Sequence, residues 1–237
     1  MSVKIAAFQA QDIQGDVPAA MRIISQAMWQ ADEENVNVLC FPECFLQGYT
    51  LDAKETEKRA FDLASPELET ALSTIAGYKV SIILGIIEKD ADNYYNTAIV
   101  IRHGKILGKY RKIHLFERNF QPGETYPTFT VDNLKFGINI CYDARFPEGA
   151  AELKRQGAQV IFYPLNNRLP TQKADNYREK HIPNLIARAE ETGCWIVSAD
   201  VYAQEETMTS YGYTAIVSPE GKVVGRVTEL TPGMIAQ

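Results

Sequence analysis

Cys141 is the first residue of this chain whose setting suits covalent chemistry. It follows the apolar run 136–140 and precedes Tyr142-Asp143-Ala144-Arg145-Phe146-Pro147-Glu148, where a helix is expected to start. The carboxyl end of a buried strand, just ahead of a helix, is where α/β proteins place ligand sites. A turn there also aims backbone N–H groups outward, which is what an oxyanion requires. The competing fate of a lone cysteine is burial as a small hydrophobe. Reactivity needs a neighbour that stabilises the thiolate.

A nucleophile needs a base, and histidine is the usual partner of cysteine. Of the 3 histidines, His103 falls in an expected hairpin turn and His181 in a long polar helix just before Pro183. His114 alternates with Ile113 and Leu115 and is the one placed to approach a site. Carboxylates offer more. The run Val38-Leu39-Cys40-Phe41 leads an apolar strand through Pro42 directly into Glu43. Apolar surroundings raise a carboxyl pKa and suit it to general-base work. In the basic run Lys109-Tyr110-Arg111-Lys112, strand alternation puts Tyr110 and Lys112 on one face, so Lys112 can point into a cleft.

The elements that must position these residues alternate between short apolar runs and amphipathic stretches. Segments 3–10, 36–41, 80–87, 98–102, 136–140, 160–163 and 195–199 read as buried or half-buried strands. A first helix is expected after Asp16, with Pro18 in its first turn and Met21, Ile24, Met28 and Ala31 on one face. A second starts at Ser65-Pro66, turns Leu68, Leu72 and Ile75 inward and stops at Gly77. A third runs over 147–156 and ends at Gly157. Residues 173–192 are helical in pattern, with Pro183 expected to kink or divide them. Hairpins are expected over 101–106 and 216–224. The simplest architecture is one α/β domain over residues 1–237 with antiparallel additions.

Composition narrows the classes. With 46% hydrophobic and 23% charged residues the chain is globular rather than disordered. A net charge of −6 gives no support to nucleic-acid binding, which wants a clustered positive field. The longest apolar stretch, near 82–87, is too short to span a bilayer, so no membrane partner is expected. Residues 1–11 lack a long apolar core, so no secretory signal is expected and the cytoplasm is the default location. Cys40, Cys44, Cys141 and Cys194 are too scattered for a disulfide scaffold. Cys40 and Cys44 lack a second Cys/His pair at ligand spacing, so no metal is expected. Neither a Gly-x-Gly-x-x-Gly nor a P-loop motif is present, and no cofactor is expected.

Three blocks, in order, carry a resemblance: Phe41-Pro42-Glu43 with Gly48-Tyr49, then Tyr110-Arg111-Lys112-Ile113-His114-Leu115-Phe116, then Ile140-Cys141-Tyr142-Asp143-Ala144-Arg145-Phe146-Pro147-Glu148. Together with Ala6-Ala7-Phe8-Gln9, Ala187-Arg188-Ala189-Glu190 and Ser218-Pro219-Glu220-Gly221, they resemble the nitrilase-like carbon–nitrogen hydrolase superfamily over nearly the whole chain. The resemblance implies a four-layer αββα sandwich and a Glu43–Lys112–Cys141 triad. Glu43 would take the thiol proton and later activate water. Cys141 would attack an amide carbon and form a thioester. Lys112 and the Tyr142 N–H would stabilise the oxyanion. Many relatives carry a second glutamate after the lysine block, and Glu117 is the best candidate for it here. Relatives often continue past the position of Gln237 into an arm that crosses a dimer interface, and a homodimer or higher homo-oligomer is implied.

The substrate expected on this reading is a small amide. Nitrile and N-carbamoyl hydrolysis use the same triad, so the triad does not separate them. Lining positions are expected at Tyr49, Phe116, Tyr142, Arg145, Asn166 and Asn167, and an Arg or Asn there would favour an amide bearing a carboxylate. Readings from other classes are a catalytically silent binding member of the same fold and a redox-sensing thiol protein.

Overall fold

The computed structural model describes residues 3–237; residues 1 and 2, part of the segment read for a secretory signal, lie outside the described residues. The larger sheet is built from β1 (Ile5–Gln11), β2 (Val38–Cys40), β3 (Phe61–Asp62), β4 (Ser81–Asp90), β5 (Asn93–Arg102) and β6 (Lys105–Arg111). The smaller begins with β7 (Thr128–Val131), β8 (Leu134–Ile138) and β9 (Val160–Pro164). The larger sheet then takes in β10 (Leu169–Pro170), β12 (Val201–Gln204), β13 (Met208–Ser210) and β16 (Gly233–Ala236), and the smaller β11 (Trp195–Ala199), β14 (Ala215–Val217) and β15 (Val223–Arg226). The strand orders are β10-β13-β12-β1-β2-β4-β5-β6 and β15-β14-β11-β9-β8-β7, with β16 on β1 and β3 on β4.

Period-two alternation makes the layers. On β4, Ile82, Leu84 and Ile86 face outward onto Ile24, Met28 and Ala31 of α1 (Val17–Glu33), while Ile83 faces the other sheet. Leu39 likewise looks to α1, and its neighbours Val38 and Cys40 pack against Phe136, Ile138, Val160 and Phe162 of the smaller sheet. Two helices cover that sheet's far face. After the short polar α2 (Ala53–Arg59) and α3 (Pro66–Ser73) come α4 (Pro147–Arg155), α5 (Thr171–Tyr177) and α6 (His181–Thr192). Ala150 and Leu153 of α4, with Leu185 and Ala189 of α6, pack on Ile161, Tyr163, Ile196 and Val217. The result is the expected αββα sandwich.

The helix boundaries follow their caps. Asp16 accepts the Ala19 N–H at 2.9 Å and starts α1, whose buried face is Ala20, Ile24, Ala27, Met28 and Ala31, with Met21 only half-buried at its margin. Ser65 caps α3, but the helix ends at Ser73 rather than reaching Gly77, and Ile75 is buried from the turns beyond it. The 173–192 stretch does divide. The break falls at residues 178–180, and Pro183 sits in the first turn of α6, where its missing N–H costs nothing. At the tip of the β5–β6 hairpin, His103 and Gly104 both have positive φ (50° and 70°), the conformation a tight two-residue hairpin turn requires. Among the described residues, no helix is long and apolar enough to cross a membrane.

Candidate active site

Glu43 leaves the end of β2 through Phe41 and Pro42 and is 1% exposed. Its turn lies flat against β4: a Cβ on Gly85 would fall 2.3 Å from the Pro42 carbonyl oxygen and 2.4 Å from the Cys44 nitrogen. Only glycine permits that approach. Lys112 is the first residue past β6 and is held at both ends of its backbone. Its N–H donates to the Asn96 carbonyl at 2.9 Å, and its carbonyl accepts the Gly123 N–H at 2.8 Å. The second contact folds the 117–123 loop back and brings in Glu117, which is 3% exposed.

These side chains form one buried cluster. Lys112 Nζ donates to Glu43 Oε1 at 2.7 Å and to Glu117 Oε1 at 2.8 Å. Asn96 Nδ2, from β5, donates to the same two oxygens at 2.7 and 3.0 Å. Glu117 Oε2 accepts the Phe116 N–H at 2.9 Å, whereas Glu43 Oε2 is buried with no hydrogen-bond partner among the described residues. Burial pushes Glu43 above its ordinary value against the pull of Lys112. Burial acts on Glu117 too, but Lys112, its own backbone N–H and the hydrogen bond of Tyr49 hold it below. Lys112, although buried, is held charged by Glu43 and Glu117.

Cys141 reaches this cluster from the other sheet. It follows β8 and opens a short 3-10 turn, Cys141–Arg145, rather than leading straight into α4. Its φ of 43° is left-handed, a conformation that costs a non-glycine residue energy and recurs at functional sites. Asp143 anchors the turn. Oδ2 accepts the Ile140 N–H and the Tyr110 hydroxyl, both at 2.8 Å, and Oδ1 accepts the His114 N–H at 2.9 Å. The lysine strand and the cysteine turn are therefore tied through one carboxylate. Burial and the Glu43 charge push the Cys141 thiol well above its ordinary value, and the Lys112 charge and the Asn166 N–H facing the sulfur pull it back only in part. That direction favours the protonated sulfur, whose attack calls for a base.

The remaining expected residues divide. Tyr49, half-buried, hydrogen-bonds Glu117, and with Asn166 it lines a cavity of about 250 Å³. Tyr142 is half-buried; Phe116 lies edge-on to it at 6.1 Å and is 53% exposed. Arg145 is exposed, its guanidinium 5.5 Å from the Tyr142 ring centre. Asn167 does not line the cavity. Its Nδ2 and N–H donate to the buried Asp200 at 2.8 and 3.1 Å. His114 offers its backbone rather than its ring, which stacks on Phe146 at 3.9 Å. His181 packs on Tyr213 at 4.4 Å, and burial lowers it to about 4. Cys40 and Cys44 belong to different apolar clusters. Asn96 was not foreseen; its only signal is a polar residue two positions ahead of an apolar strand.

A buried carboxylate–ammonium–carboxylate cluster therefore lies between the two sheets, with the Cys141 turn beside it. A family model for carbon–nitrogen hydrolases matches residues 4–237. The chain belongs to that family. It is 34% identical to a nitrilase of Pyrococcus abyssi over 209 residues, covering 84% of this chain and 75% of that protein. It is 28% identical to the omega-amidase NIT3 of Saccharomyces cerevisiae, covering 96% of this chain and 84% of that one. The fold matches the amidase of Nesterenkonia AN1 with a TM-score of 0.82 at 23% identity, over 99% of this chain and 89% of that one.

Proposed function

We propose that this protein hydrolyses the carbon–nitrogen bond of a small amide through a thioester on Cys141. The observation that carries the reading is Oε2 of Glu43, a buried acceptor without a partner among the described residues, beside a thiol that needs a base. Glu43 takes the thiol proton as sulfur attacks the carbonyl carbon. The oxyanion that forms is met by the Lys112 ammonium and the Tyr142 N–H. Collapse breaks the C–N bond, and the proton held by Glu43 leaves with the nitrogen as ammonia or an amine. Water then gives a proton to Glu43 and adds to the thioester, and collapse returns that proton to sulfur and releases the acid. Glu117 keeps Lys112 charged and in place while Glu43 cycles between its two protonation states.

Splitting the reaction this way asks little of any one group. A positioned base supplies about 10²–10⁴-fold, and an oxyanion donor about 10²–10³-fold. The test is ammonia release from a panel of small carboxamides, N-carbamoyl amines and nitriles, followed together with intact-protein mass. Release that vanishes in Cys141→Ala, with an acyl adduct on the wild-type cysteine, supports the proposal. Turnover that survives in Cys141→Ala rules out the thioester.

A further inference from the structure

The cavity of about 250 Å³ beside the cluster has two walls in common with the site and one charge of its own. Tyr49 reaches back to Glu117, and Asn166 turns its N–H toward the Cys141 sulfur. Leu51 and Met208 add apolar surface, and Thr50 a hydroxyl. Arg168 is the one charged side chain lining it among the described residues. A substrate carbonyl held at Cys141 would extend the rest of its chain along these residues.

The guanidinium of Arg168 is incompletely used. Its Nη2 donates to Glu205 at 2.8 Å, and Glu205 is 52% exposed. Its Nε lies 3.4 Å from Asp12 Oδ2 but is buried without a hydrogen bond, and among the described residues Nη1 makes none. Asp12 is the fixed partner, 3% exposed and fastened by Gln14 at 2.7 Å. Glu205 is the exchangeable one, since an exposed ion pair is worth little. An incoming carboxylate that displaced Glu205 would leave the charge of the Asp12–Arg168 pair balanced as before. It would also gain the two-pronged geometry that a guanidinium offers.

Building on the hydrolase reading above, we propose that this cavity is the specificity pocket, and that Arg168 selects amides whose far end carries a carboxylate, with Glu205 as the placeholder that such a substrate displaces. Arg145, the arginine nearest Cys141 in sequence, lies outside this cavity.

The test compares kcat/KM for an amide acid and for the neutral amide of equal length, glutaramate and pentanamide, in wild type, Arg168→Gln and Glu205→Gln. The wild type is expected to prefer the acid. Arg168→Gln should lower the acid-to-neutral ratio about 10–100-fold, the worth of a charged hydrogen bond. Glu205→Gln should raise the ratio, because the competitor is gone. Opposite signs from the two halves of one ion pair are not what a structural role would give. A wild-type preference for the neutral amide, an unmoved ratio in Arg168→Gln, or a lowered ratio in Glu205→Gln would overturn the assignment and leave the hydrolase reading standing. Absence of turnover with both amides and of any acyl adduct on Cys141 would overturn both.

Discussion

Replacing Lys112 with Met tests the buried cluster where it is most exposed to refutation. The substitution keeps most of the side-chain volume and removes the one cation shared by Glu43 and Glu117, each 3% exposed or less. What remains is Asn96 Nδ2, which cannot neutralise two carboxylates. Removing one partner of a buried ion pair costs about 3–5 kcal/mol, because the other charge stays uncompensated. For a chain of this size each kcal/mol moves Tm by about 2–4 °C, so a fall of roughly 6–20 °C is expected at about pH 8. The chain has an alternative at lower pH, where one carboxyl can take a proton and donate a hydrogen bond to the other. That group then has a folded pKa above its unfolded one. Its contribution is complete below the unfolded carboxylate value and is lost as pH rises through the folded value. The Tm gap to wild type should therefore be smaller at about pH 5 than at about pH 8. Adding Glu43→Gln to Lys112→Met should recover part of the loss, since one uncompensated charge is gone. Thermal melts of the three proteins at the two pH values settle it. A gap that is equal at both values, or larger in acid, would show that the two carboxylates are not dependent on Lys112, and the electrostatic account of the site would fail.

Glu43→Gln should separate base catalysis from thiol acidity. Amide turnover is expected to fall about 10²–10⁴-fold, while iodoacetamide alkylation of Cys141 should move to lower pH, because the Glu43 charge is one of the forces raising that thiol; alkylation shifted to higher pH would contradict this. Gly85→Ala should cripple the site without touching it chemically, as its Cβ must share space with the Pro42–Cys44 turn; a soluble variant with wild-type turnover would show that turn to be free to move. Glu88, 1% exposed and bonded to Lys109, Arg111 and Thr97, has its carboxyl held below the ordinary range by those bonds against the cost of burial. Its stabilisation is present above the unfolded carboxylate pKa of about 4.3 and is lost as pH falls through the lower folded value, so wild type should lose Tm in that window faster than Glu88→Gln; parallel acid melts would refute the pairing.

The layers were legible because burial on one or both faces writes itself into period. The strand read over 80–87 is β4, which begins at Ser81 and continues to Asp90, where the last two residues are exposed and carry no apolar signal. Elements without a core face were silent. α2 has Thr56 as its sole buried residue, and β3 and β10 are two residues long. Pro183 misled about the break before α6, because a proline in the first turn starts a helix as well as it ends one. In the site, Glu117 could be proposed only through the family resemblance, which implies a second glutamate after the lysine block; the structure places it 2.8 Å from Lys112 Nζ. Asn96 could not, since what makes it matter is its place opposite two carboxylates from other segments. Arg168 was passed over for a similar reason: next to two asparagines it reads as a loop residue, and only the cavity shows what it faces.

The division of the reacting groups between the sheets bears on how the site is held. Glu43, Asn96, Lys112 and Glu117 all hang from the larger sheet or its loops, and Cys141 hangs from the smaller one. The distance between base and nucleophile is thus a distance between layers. It is set by the shared core of Val38, Cys40, Ile83 and Tyr110 against Phe136, Ile138, Val160 and Phe162. A close-packed core does not deform smoothly, so this spacing is stiff. Polar bridges also cross at the site, among them the Tyr110 hydroxyl and the His114 N–H to Asp143, and Tyr110 is 1% exposed and part of that same core. Packing sets the spacing of the layers and these hydrogen bonds set the register of the cysteine turn within it. The strained φ of Cys141 is tolerable because both ends of its turn are fastened, at Ile140 and at Phe146, through Asp143.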